Sequence, residues 1–104
     1  MLDKTTAREI AVKYSEEVNK ILKPELIILF GSYANGTPHE WSDIDIAVVM
    51  NDYKGNWLET ATQLCGLTRK VSIEIEPHLL DESCDRSGFL EHIKNTGEII
   101  YRAS

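Results

Sequence analysis

Five consecutive apolar residues, Leu26-Ile27-Ile28-Leu29-Phe30, stop abruptly at Gly31-Ser32. A run this short and unbroken reads as a central strand covered on both faces. Such a strand needs packing partners, and the remaining sequence supplies them. Upstream, Thr6 and Glu9 have the spacing of a capping box. Ile10, Tyr14, Val18 and Ile21 then recur at helical spacing, with Ala11 and Leu22 widening the stripe, and Pro24 stops the helix near Leu22. Downstream, a turn-rich stretch over 33–42 carries Gly36 and Pro38 and leads into a second strand over 43–50. Ile44, Ile46, Val48 and Met50 fall on one face of that strand; Asp43, Asp45, Ala47 and Val49 fall on the other.

After a loop over 51–56, Asn56 and Glu59 are placed to cap a helix with Trp57, Ala61, Leu64 and Cys65 on one stripe. Val71, Ile73 and Ile75 alternate with Ser72, Glu74 and Glu76, which predicts a third strand over 71–76, and Pro77 suits a strand end or edge. A loop over 81–86 leads to a short helix with Phe89, Leu90 and Ile93, capped by Gly97, and Glu98–Arg102 makes the last strand. The order α-β-β-α-β-α-β, without repeat or linker, predicts a single α/β (α+β) domain over 1–104 with a mixed sheet.

Composition narrows the function. Asp and Glu outnumber Lys and Arg by 17 to 11, a formal charge of −6. Nucleic-acid binding draws on cationic side chains to neutralise phosphates, so direct nucleic-acid binding is not expected; metal ions or a basic protein partner fit better. The apolar run is far too short to span a bilayer and the first residues lack a signal-peptide pattern, so no membrane association and a cytoplasmic location are expected. Cys65 and Cys84 have no CxxC spacing and read as buried free thiols; His39, His78 and His92 have no metal-ligand spacing, which argues against zinc.

The acids carry the chemistry. Asp43 and Asp45 project from one face of their strand, roughly 7 Å apart at Cα. Pairing with the third strand would bring Glu74 and Glu76 toward the same face. Carboxylates about 4 Å apart repel by roughly 4 kcal/mol at an effective dielectric of 20, so a converging set with no interleaved cation favours a bound Mg²⁺ or Mn²⁺. Gly31, Ser32 and Gly36 lie at the break that follows the buried strand, where backbone N–H groups can turn toward an anion and the Ser32 hydroxyl can join them. A phosphate-cradling turn beside an acid pair is equipment for a nucleoside triphosphate with its metal.

Gly31-Ser32-Tyr33-Ala34-Asn35-Gly36, followed by Ser42-Asp43-Ile44-Asp45-Ile46-Ala47-Val48-Val49, resembles the signature of the DNA polymerase β-like nucleotidyltransferase superfamily, and the small size resembles its minimal nucleotidyltransferases (MNT). The resemblance implies a polymerase β palm-like fold with helices packed mainly on one face of a small mixed sheet. It implies that Gly31 and Ser32, with Gly36, hold the phosphates of ATP. Asp43 and Asp45 would ligate two Mg²⁺ (or Mn²⁺) ions. A third acid on a later strand completes the site: Glu74, slightly favoured by counting from the strand end, or Glu76 as the alternative. Two departures stand out: Glu where most relatives have Asp, and the uncharged Asn35 where many have Arg.

Larger relatives carry an acceptor-choosing domain, which is not expected within these 104 residues. The resemblance therefore implies an acceptor on another protein, as in toxin–antitoxin pairs where the minimal nucleotidyltransferase transfers AMP to a tyrosine of a HEPN RNase toxin. An antitoxin that neutralises the toxin by binding alone is the alternative, and an antibiotic nucleotidyltransferase ranks below both. Trp41, Trp57 and Tyr53 are candidates for a partner interface. A homo-oligomer is an option that the sequence leaves open.

Overall fold

The computed structural model describes residues 3–31 and 43–103. Its elements are α1 (Lys4–Ile21), β1 (Leu26–Phe30), β2 (Ile44–Met50), α2 (Trp57–Val71), β3 (Ile75–Asp81), a 3-10 turn at Glu82–Cys84, α3 (Phe89–Thr96) and β4 (Glu98–Arg102). The strands form one mixed sheet in the order β3-β2-β1-β4. β1 runs antiparallel to both β2 and β4, whereas β2 and β3 are parallel and joined through α2.

The alternation along β1 and β2 decides which helix covers which face. Ile27, Leu29, Ile44, Ile46 and Val48 meet Ala7, Ala11, Tyr14 and Val18 of α1 together with Leu64 and Leu67 of α2. Leu26, Ile28, Phe30, Ala47 and Val49 face the opposite way, onto Leu90 and Ile93 of the short α3. Two long helices thus lie on one face and one short helix on the other, and every residue of β1 is buried. Tyr14 ties the two long helices together, its buried hydroxyl donating to the Leu64 carbonyl at 2.6 Å. Arg8 and Glu98 add an ion pair between α1 and β4.

Several boundaries differ from those the sequence predicts. α1 begins earlier, because the Asp3 carboxylate accepts from the Thr6 N–H at 2.7 Å and takes the capping role expected of Thr6. Asn56 caps α2 as expected, accepting from the Glu59 N–H at 2.9 Å. The buried stripe of α2, however, is Thr60, Leu64, Leu67 and Thr68; Trp57 and Cys65 are exposed. Both cysteines are free as expected but exposed, not buried.

The largest correction concerns the third strand. Val71 continues the helical stripe after Leu64 and Leu67 and packs on the core as the last residue of α2. Ile73 is consequently 85% exposed in the turn, and the strand runs Ile75–Asp81 instead of 71–76. β3 is an edge strand, which is why it tolerates Pro77. Gly97 ends α3 as predicted, and crowding explains its identity: a Cβ there would lie 2.7 Å from the Ile93 carbonyl oxygen and 2.8 Å from both Ile28 Cγ2 and the Leu29 carbonyl oxygen.

Asp81, at the far end of β3, organises the loop after β2. Its carboxylate accepts from the backbone N–H groups of Asp52, Tyr53 and Ser83 and from the Ser83 hydroxyl, at 2.6–2.9 Å. These donors hold its pKa well below the usual carboxylate range, the Ser83 hydroxyl contributing most. A depressed folded-state pKa stabilises the fold above the unfolded value of about 3.9, and that stabilisation is lost as pH falls toward the folded pKa. Asp81→Ala is therefore expected to lower the melting temperature at neutral pH. Thermal melts should show the gap to the parent protein narrowing progressively below about pH 4.

Candidate active site

The site forms where β1 ends against the start of β2. Phe30 pairs with Asp45 on one side, and Glu76 of β3 pairs with Asp45 on the other. Gly31 turns away with φ +78°, a conformation that L side chains rarely adopt, and a Cβ at this position would lie 2.5 Å from Asp45 Oδ2. Glycine here does two jobs. It lets the chain turn sharply, and it leaves the Asp45 carboxylate uncovered.

Glu76 and His78 stand two residues apart on β3 and share the face that carries Asp45. One ligand-capable atom from each of Asp45, Glu76 and His78 lies within 4.8 Å of the others. His78 Nε2 is 3.3 Å from Asp45 Oδ1. That hydrogen bond raises the His78 pKa above its ordinary value; partial burial opposes the shift, and the charges of Asp45 and Glu76 reinforce it. Phe30 packs edge-on against the His78 ring at 5.1 Å and against Phe89 at 5.7 Å, giving the cluster an aromatic floor continuous with the α3 side of the core.

Of the acids singled out by sequence, the structure brings Asp45 and Glu76 together. Asp43 is exposed and immediately precedes β2. Glu74 is exposed in the turn before β3, where its carbonyl accepts from the Ile44 N–H at 2.9 Å. Extending the β2–β3 register by one residue sets Asp43 opposite Glu74, so the acids fall on two alternate rungs with Ile44–Ile75 between them. Glu74 is not brought into the cluster with Asp45. Ser32, Asn35, Gly36 and Trp41 lie outside the described residues. His78 is the member that sequence reasoning missed; the signal was Glu76-Pro77-His78, an alternate-residue pair that shares a face only once the strand is placed at Ile75–Asp81.

The donor set fits a divalent cation. Two carboxylates and an imidazole converge at a partly exposed position, and Gly31 leaves the approach to Asp45 Oδ2 open. Residues 11–104 match the family model described as Polymerase beta, Nucleotidyltransferase. The chain belongs to this nucleotidyltransferase family. It is 28% identical over 96 residues to a Methanocaldococcus jannaschii protein named "Putative protein adenylyltransferase MJ0141", the match covering 86% of this chain and 93% of that one. Over 38 residues it is 55% identical to the protein adenylyltransferase MntA of Shewanella oneidensis, a stretch of 36% of this chain and 27% of the relative. A crystal structure of a toxin–antitoxin with AMP-PNP contains a chain of similar fold, with a TM-score of 0.59 and 29% identity over 93% of this chain and 74% of that one. The polymerase β resemblance read from residues 31–49 therefore extends along most of the chain.

Among the described residues, no helix is long and apolar enough to cross a membrane.

Proposed function

We propose that this nucleotidyltransferase is a cytoplasmic antitoxin that transfers AMP from ATP to a tyrosine of a HEPN RNase toxin. The observation that carries the reading is the meeting of Asp45 and Glu76 beside the open turn at Gly31. Relatives named as protein adenylyltransferases support the reaction class. The similar toxin–antitoxin structure supports a toxin as partner and an adenine nucleotide as substrate. In this reading residues 1–104 act as one catalytic domain.

Gly31, Ser32 and Gly36 cradle the triphosphate through backbone N–H groups and the Ser32 hydroxyl. Asp43, Asp45 and a third acid would hold two Mg²⁺ ions, and the meeting of Glu76 with Asp45 favours Glu76 over Glu74 as that acid. Bound divalent ions supply positive charge to the phosphates and lower the pKa of the attacking hydroxyl. The tyrosine oxygen bonds to the α-phosphorus as the bond from that phosphorus to the bridging oxygen breaks. Pyrophosphate leaves, and the third carboxylate accepts the tyrosine proton. Asp45 and Glu76, paired across β2 and β3, orient the reacting groups along the rim of the sheet.

The test is intact-mass analysis of the toxin after incubation with this protein, ATP and Mg²⁺. The expected result is a mass gain of one or more AMP units, absent without ATP. A stable complex that silences the RNase with no mass gain would replace this reading with neutralisation by binding alone.

A further inference from the structure

His78 brings a nitrogen donor into a site whose expected ligands are all carboxylates. We propose that His78 Nε2 ligates the metal held by Asp45 and Glu76, and that this nitrogen biases the site toward Mn²⁺ over Mg²⁺. The inference rests on the reading of Asp45 and Glu76 as metal ligands.

Geometry supports a ligand role first. In an octahedral site with bonds of about 2.1 Å, neighbouring ligand atoms lie about 3 Å apart and opposite ones about 4.2 Å apart. The atoms of Asp45, Glu76 and His78 lie within 4.8 Å of one another, so small side-chain rotations close the set around one ion. The Nε2 atom, not the far side of the ring, faces Asp45 at 3.3 Å. The ring is also held in place, since Phe30 packs on it edge-on and Phe30 is itself buried between β2 and α3. A ligand-capable nitrogen of His78 thus stands within 4.8 Å of both carboxylates, which filling the sheet surface alone would not require.

Ligand chemistry gives the direction of the preference. Mg²⁺ is hard, prefers oxygen and gives up water reluctantly, whereas imidazole suits first-row transition ions. Two carboxylates remain in the set, which keeps it suited to Mn²⁺. An all-carboxylate site lacks this bias.

The experiment uses the full chain without nucleotide, titrated with Mn²⁺ and observed by pulsed electron paramagnetic resonance. The parent protein is expected to show the ¹⁴N coupling of a directly bound imidazole, and His78→Gln to lose it. In competition titrations, His78→Gln should weaken Mn²⁺ binding about tenfold while changing Mg²⁺ binding much less. Bound Mn²⁺ without ¹⁴N coupling in the parent protein would overturn the ligand role and leave His78 as a hydrogen-bond partner of Asp45; the carboxylate site itself would stand. No Mn²⁺ binding, or binding unchanged by Asp45→Asn, would overturn both the inference and the reading beneath it. Because the first readout is made on the parent protein, a poorly folding variant cannot obscure it.

Discussion

Asp45→Asn is expected to reduce AMP transfer about a thousandfold or more while leaving the melting temperature within a few degrees of the parent protein. Asparagine has the size of aspartate, so the packing of β2 between β1 and β3 is kept. What disappears is the charge at the centre of the site. Asp45 is flanked by Phe30 and Glu76 in the sheet, contacts His78, and is left open by Gly31. Removing it withdraws an anionic ligand and simultaneously relieves repulsion from Glu76. The second effect offsets the loss of the long, part-buried hydrogen bond with His78, which explains the small expected change in stability. Time courses by intact mass and parallel thermal melts check both halves. Transfer retained within about tenfold would remove Asp45 from the chemistry.

The second large effect separates the two glutamates. Glu76→Gln should lower transfer about a hundredfold, whereas Glu74→Gln should leave it within about threefold. Both residues have the same side chain, both are exposed, and they stand two residues apart along the chain. Glu76 is paired with Asp45, whereas Glu74 precedes β3. The comparison is therefore controlled for residue type, charge change and exposure of the strand end. Equal losses in the two variants would show that both rungs serve the reaction. A loss confined to Glu74→Gln would reverse the assignment and restore the choice suggested by counting along the sequence.

That choice shows where the sequence stops being informative. β1 and β4 are legible with their true ends, because each is a short segment with an apolar centre and a glycine at one end, Gly31 after β1 and Gly97 before β4. The two faces of β2 are legible because Asp43 and Asp45 alternate with Ile44 and Ile46 at its start and no helical stripe competes with that period. At Val71 two periodicities overlap: alternation with Ile73 and Ile75, and helical spacing with Leu64 and Leu67. Tertiary packing chose the helix, since only that choice places Val71 on the core shared by α1 and α2. The end of α2 then sets the start of β3, and the start of β3 sets which glutamate meets Asp45. Strand register is a property of the assembled sheet, so the Glu74–Glu76 question had no local answer. His78 was hidden by the same error, because it lay beyond Pro77 and outside the strand as predicted. The Asp3 cap was missed because Thr6 offers an equally good local pattern, and the two compete for neighbouring N–H groups.

The parallel pairing of β2 with β3 also ties the site to a long-range closure of the chain. β2 follows β1 in sequence with no helix between them, whereas the connection that brings Glu76 beside Asp45 runs through the whole of α2. That closure is non-local, and its entropic cost precedes its contacts. It sets carboxylate against carboxylate at the sheet edge. Any cation held at this rung would act as a clasp, slowing the departure of the edge strand and coupling occupancy of the site to persistence of the fold.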